Sequence, residues 1–141
     1  MTFLVERLVE LRRHLDHLSN LRQRVPNGAA LQSDLSLHND VLFSLFTVCQ
    51  LVIDIASELA TRRGERFEDY KDAIPSLGGD PRFSAELVKN LEPLAGFRNV
   101  VAHDYVALDL DRVVEALDRL QPVGEFLDLV GQSESADRPK P

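Results

Sequence analysis

The stretch VLFSLFTVCQLVIDIASELA, residues 41–60, decides the fold. Val41, Val48, Val52, Ile53 and Ile55 would each suit a strand, but the run is longer than ordinary strands, and its flanking Ser-Asp and Gly signals favour a helix. That helix starts between Ser33 and Asn39 and ends near Gly64. It is apolar around most of its circumference. A helix of this kind must be covered on several sides, so it is expected at the centre of a bundle or against a second subunit.

Working outward, Phe3 to about Arg24 places Leu4, Leu8, Leu11, Leu15, Leu18 and Leu21 at steps of three and four, an amphipathic helix with Thr2 as its cap. Pro26-Asn27-Gly28 ends it in a turn, because proline cannot continue the hydrogen-bond ladder. On the other side, Phe67 to Leu77 reads as a short helix closed by Gly78-Gly79, and Asp80-Pro81 opens the next. Leu87, Leu91, Leu94 and Phe97 then step along one face, with Pro93 kinking or restarting the helix. A last helix, capped by Asp109 or Asp111, carries Leu110, Val113, Val114, Leu117, Leu120, Val123, Leu127 and Val130, interrupted by Pro122 and Gly124. The expected fold is all-α, a bundle of four to five helices, mostly antiparallel because the links are short. Residues 1–130 form one domain, and 131–141 are expected as a flexible C-terminal tail.

The bulk composition narrows the function. The chain has 141 residues, 44% of them hydrophobic, with one cysteine and a net charge of −7 from 23 acidic and 16 basic residues. This charge has the wrong sign for a protein that grips nucleic acid over a broad surface, although a local positive cleft remains compatible with it. Cys49 excludes an intrachain disulfide and fits as a small buried thiol. The N-terminus lacks the apolar region of a signal peptide, and no uninterrupted apolar run reaches the roughly 20 residues of a membrane span. A cytoplasmic protein without a membrane partner is expected. No phosphate loop, metal-ligand spacing or repeat is visible, so neither a cofactor nor a metal is expected.

The chemistry-bearing segment is Gly96-Phe97-Arg98-Asn99-Val100-Val101-Ala102-His103-Asp104-Tyr105, near the end of a helix and before the loop Val106-Ala107-Leu108. Asn99 and His103, four apart, share a helix face, while Arg98, Ala102 and Tyr105 define a neighbouring one. Arg98 offers a permanently charged fork for a phosphodiester, and the imidazole of His103 can move a proton. This pair suffices for metal-free cleavage of RNA, not DNA. A base takes the proton of the ribose 2′-hydroxyl, the oxygen attacks phosphorus, and a cation stabilises the added charge. One histidine cannot easily be base and acid together, so a homodimer supplying a second motif is expected.

This segment resembles the signature of the HepT-like family within the HEPN superfamily: arginine, four residues, histidine, one residue, tyrosine. The likeness extends over roughly residues 35 to 130. It implies a HEPN-like helical homodimer with ribonuclease toxicity, neutralised by an MntA-type nucleotidyltransferase antitoxin that transfers AMP onto the motif tyrosine, here Tyr105. It also implies Arg98 and His103 as the catalytic pair.

Blander readings stand beside these. Arg98 could pair with an acidic neighbour such as Asp104 of a second subunit, and Tyr105 could be an amphipathic residue at the core margin. His14, His17 and His38 read as solvent-facing. Arg12-Arg13, Arg22/Arg24 and Arg62-Arg63 read as solvated faces, although Arg62-Arg63 could line an RNA path. Asn99 reads as a hydrogen-bonding support. Asp54, an acid within an apolar helix, is either satisfied in the core or orients Arg98 or His103. The competing function is a noncatalytic partner that docks a nucleotidyltransferase.

Overall fold

The computed structural model describes residues 3–136, the side chains of 135 and 136 excepted, and its regular elements are all helical. Thr2, read as a helix cap, lies outside the described residues. Helix α1, Phe3–Arg22, buries Leu4, Leu8, Leu11, Leu15, Leu18 and Leu21, the whole of the expected stripe. After Val25 the chain does more than turn: Asn27 accepts a hydrogen bond from the Ala30 amide and starts a short helix α2, Gly28–Ser33. The Gly28 amide donates to Asp111 Oδ1 at 2.9 Å. A Cβ on Gly28 would lie 2.6 Å from that oxygen and 2.9 Å from the Asp111 amide nitrogen.

Asp34 caps α3, Leu35–Arg62, by accepting from the Leu37 amide, and Gly64 closes it with φ +79°. The buried residues of α3 include Leu37, Val41, Leu45, Val48, Val52, Ile53, Ile55, Ala56 and Leu59, which spread around the helix as its composition demands. By length and hydropathy alone α3 could cross a bilayer, which a search for uninterrupted apolar runs does not register. In this fold 56% of its most apolar window is buried inside the bundle. Helix α1 packs along α3, so the two longest elements form the spine of the core.

Between residues 63 and 84 the sequence reading needs correction. The segment Phe67–Leu77 is two tight 3-10 turns, Tyr70–Asp72 and Pro75–Gly79, because Pro75 has no amide to carry an α-helix through. Ala73, Ile74 and Leu77 are buried, whereas Tyr70 is 63% exposed. Asp80 does not cap the next helix. Its carboxylate is 5% exposed as a residue and binds Arg82 Nη2 at 2.7 Å and Arg63 Nη1 at 3.3 Å. The hydrogen bond from Arg82 holds its pKa below the ordinary carboxylate range, against the opposing effect of burial. Ser84 is the cap, accepting from the Leu87 amide to begin α4, Ala85–Leu91.

Pro93 restarts the chain as α5, Pro93–His103. A 3-10 turn, Tyr105–Ala107, leads on to α6, Leu110–Leu117, capped by Asp109. The expected last helix breaks at residues 118–120, and Pro122 sits in the first turn of α7, Gln121–Ala136, where proline is tolerated. The tail expected from Gly131 is therefore helical as far as Ala136, and 137–141 lie outside the described residues. The all-α expectation holds, with seven α-helices among the described residues. Phe126 of α7 and Phe83 stack at 5.4 Å within the same continuous core that joins Leu4 to Val130.

Candidate functional site

Helix α5 carries the motif and is the least embedded of the longer helices: none of its residues is fully buried. It lies against α3 with Leu94, Ala95, Phe97, Arg98 and Val101 half-buried. A helix placed in this way can present polar groups to solvent while resting on a rigid neighbour.

Arg98 turns toward α3. Its Nε donates to Gln50 Oε1 at 2.9 Å, and the Gln50 amide nitrogen donates to Asp54 Oδ1 at 2.8 Å. The carboxylate can only accept, so it fixes the amide with its oxygen toward the guanidinium. Arg98 Nη1 donates to Asn99 Oδ1 at 3.1 Å, and its Cζ stands 5.6 Å from the centre of the Phe46 ring. The guanidinium is thus oriented from three sides while remaining half-exposed. Asp54 is linked to Arg98 through Gln50, and Asn99 touches the guanidinium directly.

His103 ends α5, exposed, with no side-chain partner among the described residues. Arg98 and His103 are five residues apart, about 140° around the helix and about 7.5 Å along it, so within one chain they do not stand on one face. Asn99 shares the face of His103. Neither Arg98 nor His103 is sealed in the interior.

Tyr105 opens the 3-10 turn beyond α5 and is 47% exposed. Its hydroxyl shares a short hydrogen bond with His38 Nε2, and the two rings stand 5.7 Å apart at 58°. His38 is therefore not the solvent-facing residue that its sequence surroundings suggested: it is half-buried on the first turn of α3. His14 is also half-buried, sharing a 3.0 Å hydrogen bond with the buried Ser44, while His17 pairs with Asp40 at the surface. The sequence reading missed Gln50, Phe46 and His38. The available signal was the four-residue step back from Asp54 through Gln50, Phe46 and Leu42 to His38, which lays a partly polar stripe along one side of an otherwise apolar helix.

Two depressions flank α5. One, of about 400 Å³, is lined by Asn39, Leu42, Phe43, Phe46, Ala102 and Tyr105. The other, of about 950 Å³, runs between α5 and α6, where Arg112 and Arg119 are interleaved with Asp104, Asp109 and Glu115. Near the motif two large apolar side chains face outward, Phe43 at 65% exposed and Val106 at 98%. Arg62 and Arg63 are committed to the fold, Arg62 to Glu134 at 2.7 Å and Arg63 to Asp80, Glu65 and the Ser76 carbonyl. Cys49 is buried and its thiol pushed up to about 12 by that burial, so it is no nucleophile. Among the described residues no group of three or more His, Cys, Asp or Glu side chains is placed to hold a metal.

With this geometry in place, comparison with known proteins gives consistent results. The family model described as ribonuclease HepT-like matches residues 11–130. The mRNA nuclease HepT of Shewanella oneidensis is 26% identical over 115 residues, 80% of this chain and 86% of that protein. A protein of Archaeoglobus fulgidus provisionally named as an RNase is 30% identical over 115 residues, 81% of this chain and 87% of its own. The tri-AMPylated HEPN toxin of Shewanella oneidensis, solved in complex with MNT antitoxin, superposes with a TM-score of 0.79 at 23% identity. That match covers 94% of this chain and 99% of the solved one, and shows a common fold.

Proposed function

This chain belongs to the ribonuclease HepT-like family, and from that membership we propose that it is the toxin of a toxin–antitoxin pair, a metal-independent endoribonuclease acting as a homodimer in the cytoplasm. Its activity is switched off when an MntA-type nucleotidyltransferase antitoxin transfers AMP onto Tyr105. The observation that carries the reading is the half-exposed Arg98, held by Asn99 and by a Gln50 that Asp54 orients, five residues before an exposed His103 without a side-chain partner among the described residues.

In this reading Arg98 meets the scissile phosphate and stabilises the charge that builds on its oxygens during attack. His103 takes the proton from the ribose 2′-hydroxyl. The 2′-oxygen bonds to phosphorus, the bond to the 5′-oxygen breaks, and a second His103 protonates the leaving oxygen. The products are a 2′,3′-cyclic phosphate and a 5′-hydroxyl. Because Arg98 and His103 of one chain lie on different faces of α5, two copies facing each other are needed to assemble one working site. The exposed apolar residues Phe43, Val100 and Val106 around the motif supply the surface for such contact. An adenylyl group on Tyr105 adds bulk and negative charge beside this groove, which obstructs and repels RNA.

The test is cleavage of a labelled RNA in excess chelator by the unmodified protein, with Arg98→Ala and His103→Ala as comparisons. Loss of about a hundredfold or more in each variant, with the fold intact, is expected. Co-expression with the transferase should add about 329 Da per AMP and abolish cleavage. RNA left intact by the unmodified wild-type chain would favour the noncatalytic reading, in which the net charge of −7 suits a protein that docks a nucleotidyltransferase without gripping RNA.

A further inference from the structure

The His38–Tyr105 hydrogen bond joins side chains 67 residues apart. The turn Tyr105–Ala107 has little else to hold it: it contributes no buried residue, and Val106 is 98% exposed. Among the described residues its backbone is tied locally, Ala107 to Asp104 and Leu108 to Tyr105. A phenol on such a turn would sample several rotamers. His38, by contrast, is anchored. Its own amide donates to the Asp34 carbonyl at 2.9 Å, and it lies between the buried Leu37 and Val41 on the central helix.

We propose that His38 is a positioning residue for modification of Tyr105, holding the phenolic oxygen at a fixed place on the surface so that it can attack a nucleoside triphosphate. The proposal rests on the reading above that Tyr105 receives the nucleotide. In the tautomer with its proton on Nε2, the imidazole donates to the phenolic oxygen and leaves the O–H directed outward. The tyrosine oxygen then bonds to the α-phosphorus, the bond from that phosphorus to the bridging oxygen breaks, and pyrophosphate leaves with the electron pair. The phenol proton passes to a base of the transferase, and the donated hydrogen bond from His38 steadies the charge that develops on oxygen. Only a donor at this position is needed, so the terminal amide of a glutamine can replace the imidazole.

The experiment follows AMP addition to the full chain by its partner transferase and ATP, using intact mass, for wild type, His38→Ala and His38→Gln. His38→Ala is expected to lower kcat about three- to tenfold with the KM for the chain unchanged, and His38→Gln to restore most of it. Wild-type kcat in His38→Ala overturns the proposal, as does a glutamine variant that is folded yet as slow as the alanine one. The chain has two tyrosines and no tryptophan, so in a Tyr70→Phe background the emission reports Tyr105 alone. That emission should rise in His38→Ala as the contact with imidazole is lost, and unchanged emission also overturns the proposal. If the wild-type chain takes up no AMP, it is the role of Tyr105 that fails, while the emission measurement still decides whether His38 holds its hydroxyl.

Discussion

Gln50→Leu tests whether the orientation of Arg98 matters apart from its charge. The substitution keeps nearly the same volume and removes the acceptor of the 2.9 Å bond from Arg98 Nε. A hydrogen bond to a charged group contributes about 1.5–3 kcal/mol, and for a half-exposed guanidinium the lower part of that range applies. At about 1.4 kcal/mol per factor of ten, cleavage should slow roughly 10- to 30-fold. Arg98→Ala removes the cation itself and should cost about a hundred- to a thousandfold. Asp54→Asn leaves an acceptor but also offers a donor, so Gln50 loses the constraint that aims its oxygen at Arg98. A loss of roughly three- to tenfold follows from partial misalignment. Single-turnover cleavage of a labelled RNA by the three variants gives this ordering directly, with thermal melting to verify that each is folded. Gln50→Leu cleaving at the wild-type rate while Arg98→Ala is impaired would refute the relay. So would three equal losses in folded proteins.

Three further outcomes follow from the same structure. Val106→Asp replaces an apolar side chain that is 98% exposed beside the motif; if the proposed homodimer buries it at about 1.5 kcal/mol per valine, counted twice in a twofold contact, that dimer should weaken about a hundredfold. Sedimentation or light scattering checks this, and an unchanged dimer would place the interface elsewhere. Gly28→Ala forces a methyl to within 2.6 Å of Asp111 Oδ1 and should destabilise the fold by about 1–3 kcal/mol, read as a fall in melting temperature of roughly 3–10 °C. Asp80 has a folded-state pKa held down chiefly by the Arg82 hydrogen bond, so its contribution is complete above the unfolded value near pH 4 and is lost as pH falls through the lower, folded value. Urea unfolding should therefore show wild type exceeding Asp80→Asn by a constant margin above about pH 5, and the margin should shrink as the solution is acidified below about pH 4.

How much of this was legible in the sequence depends on the range of the interaction that fixes each feature. The leucine stripe of α1 and the all-round apolarity of α3 are properties of the helices themselves, and both translate directly into burial. Cys49 was readable for the same reason, because its neighbours in sequence are also its surroundings in space. Local punctuation was less decisive. Pro93 and Pro122 start helices as their chemistry allows, whereas Pro75 divides a segment whose apolar spacing alone resembled one helix. Asp80 looked like a cap because a cap is the local use for an aspartate before proline. Its actual partners, Arg82 and Arg63, include one 17 residues away that periodicity cannot report.

The candidate site divides along the same line. Arg98, Asn99, His103 and Tyr105 lie in eight consecutive residues, so a linear motif reveals them. What orients them comes from α3, 48 residues back at Gln50 and 67 back at His38. A polar residue on a largely apolar helix has two physical solutions, internal satisfaction or a bond to a neighbouring element, and sequence alone does not choose between them. Helix α5 lies across the stripe that contains His38, Phe46, Gln50 and Asp54, so one helix face serves both the guanidinium at one end of the motif and the phenol at the other. The proposed cleavage residue and the proposed modification residue thus share a single rigid support. A change in how α5 rests on α3 should therefore alter RNA cleavage and susceptibility to modification together.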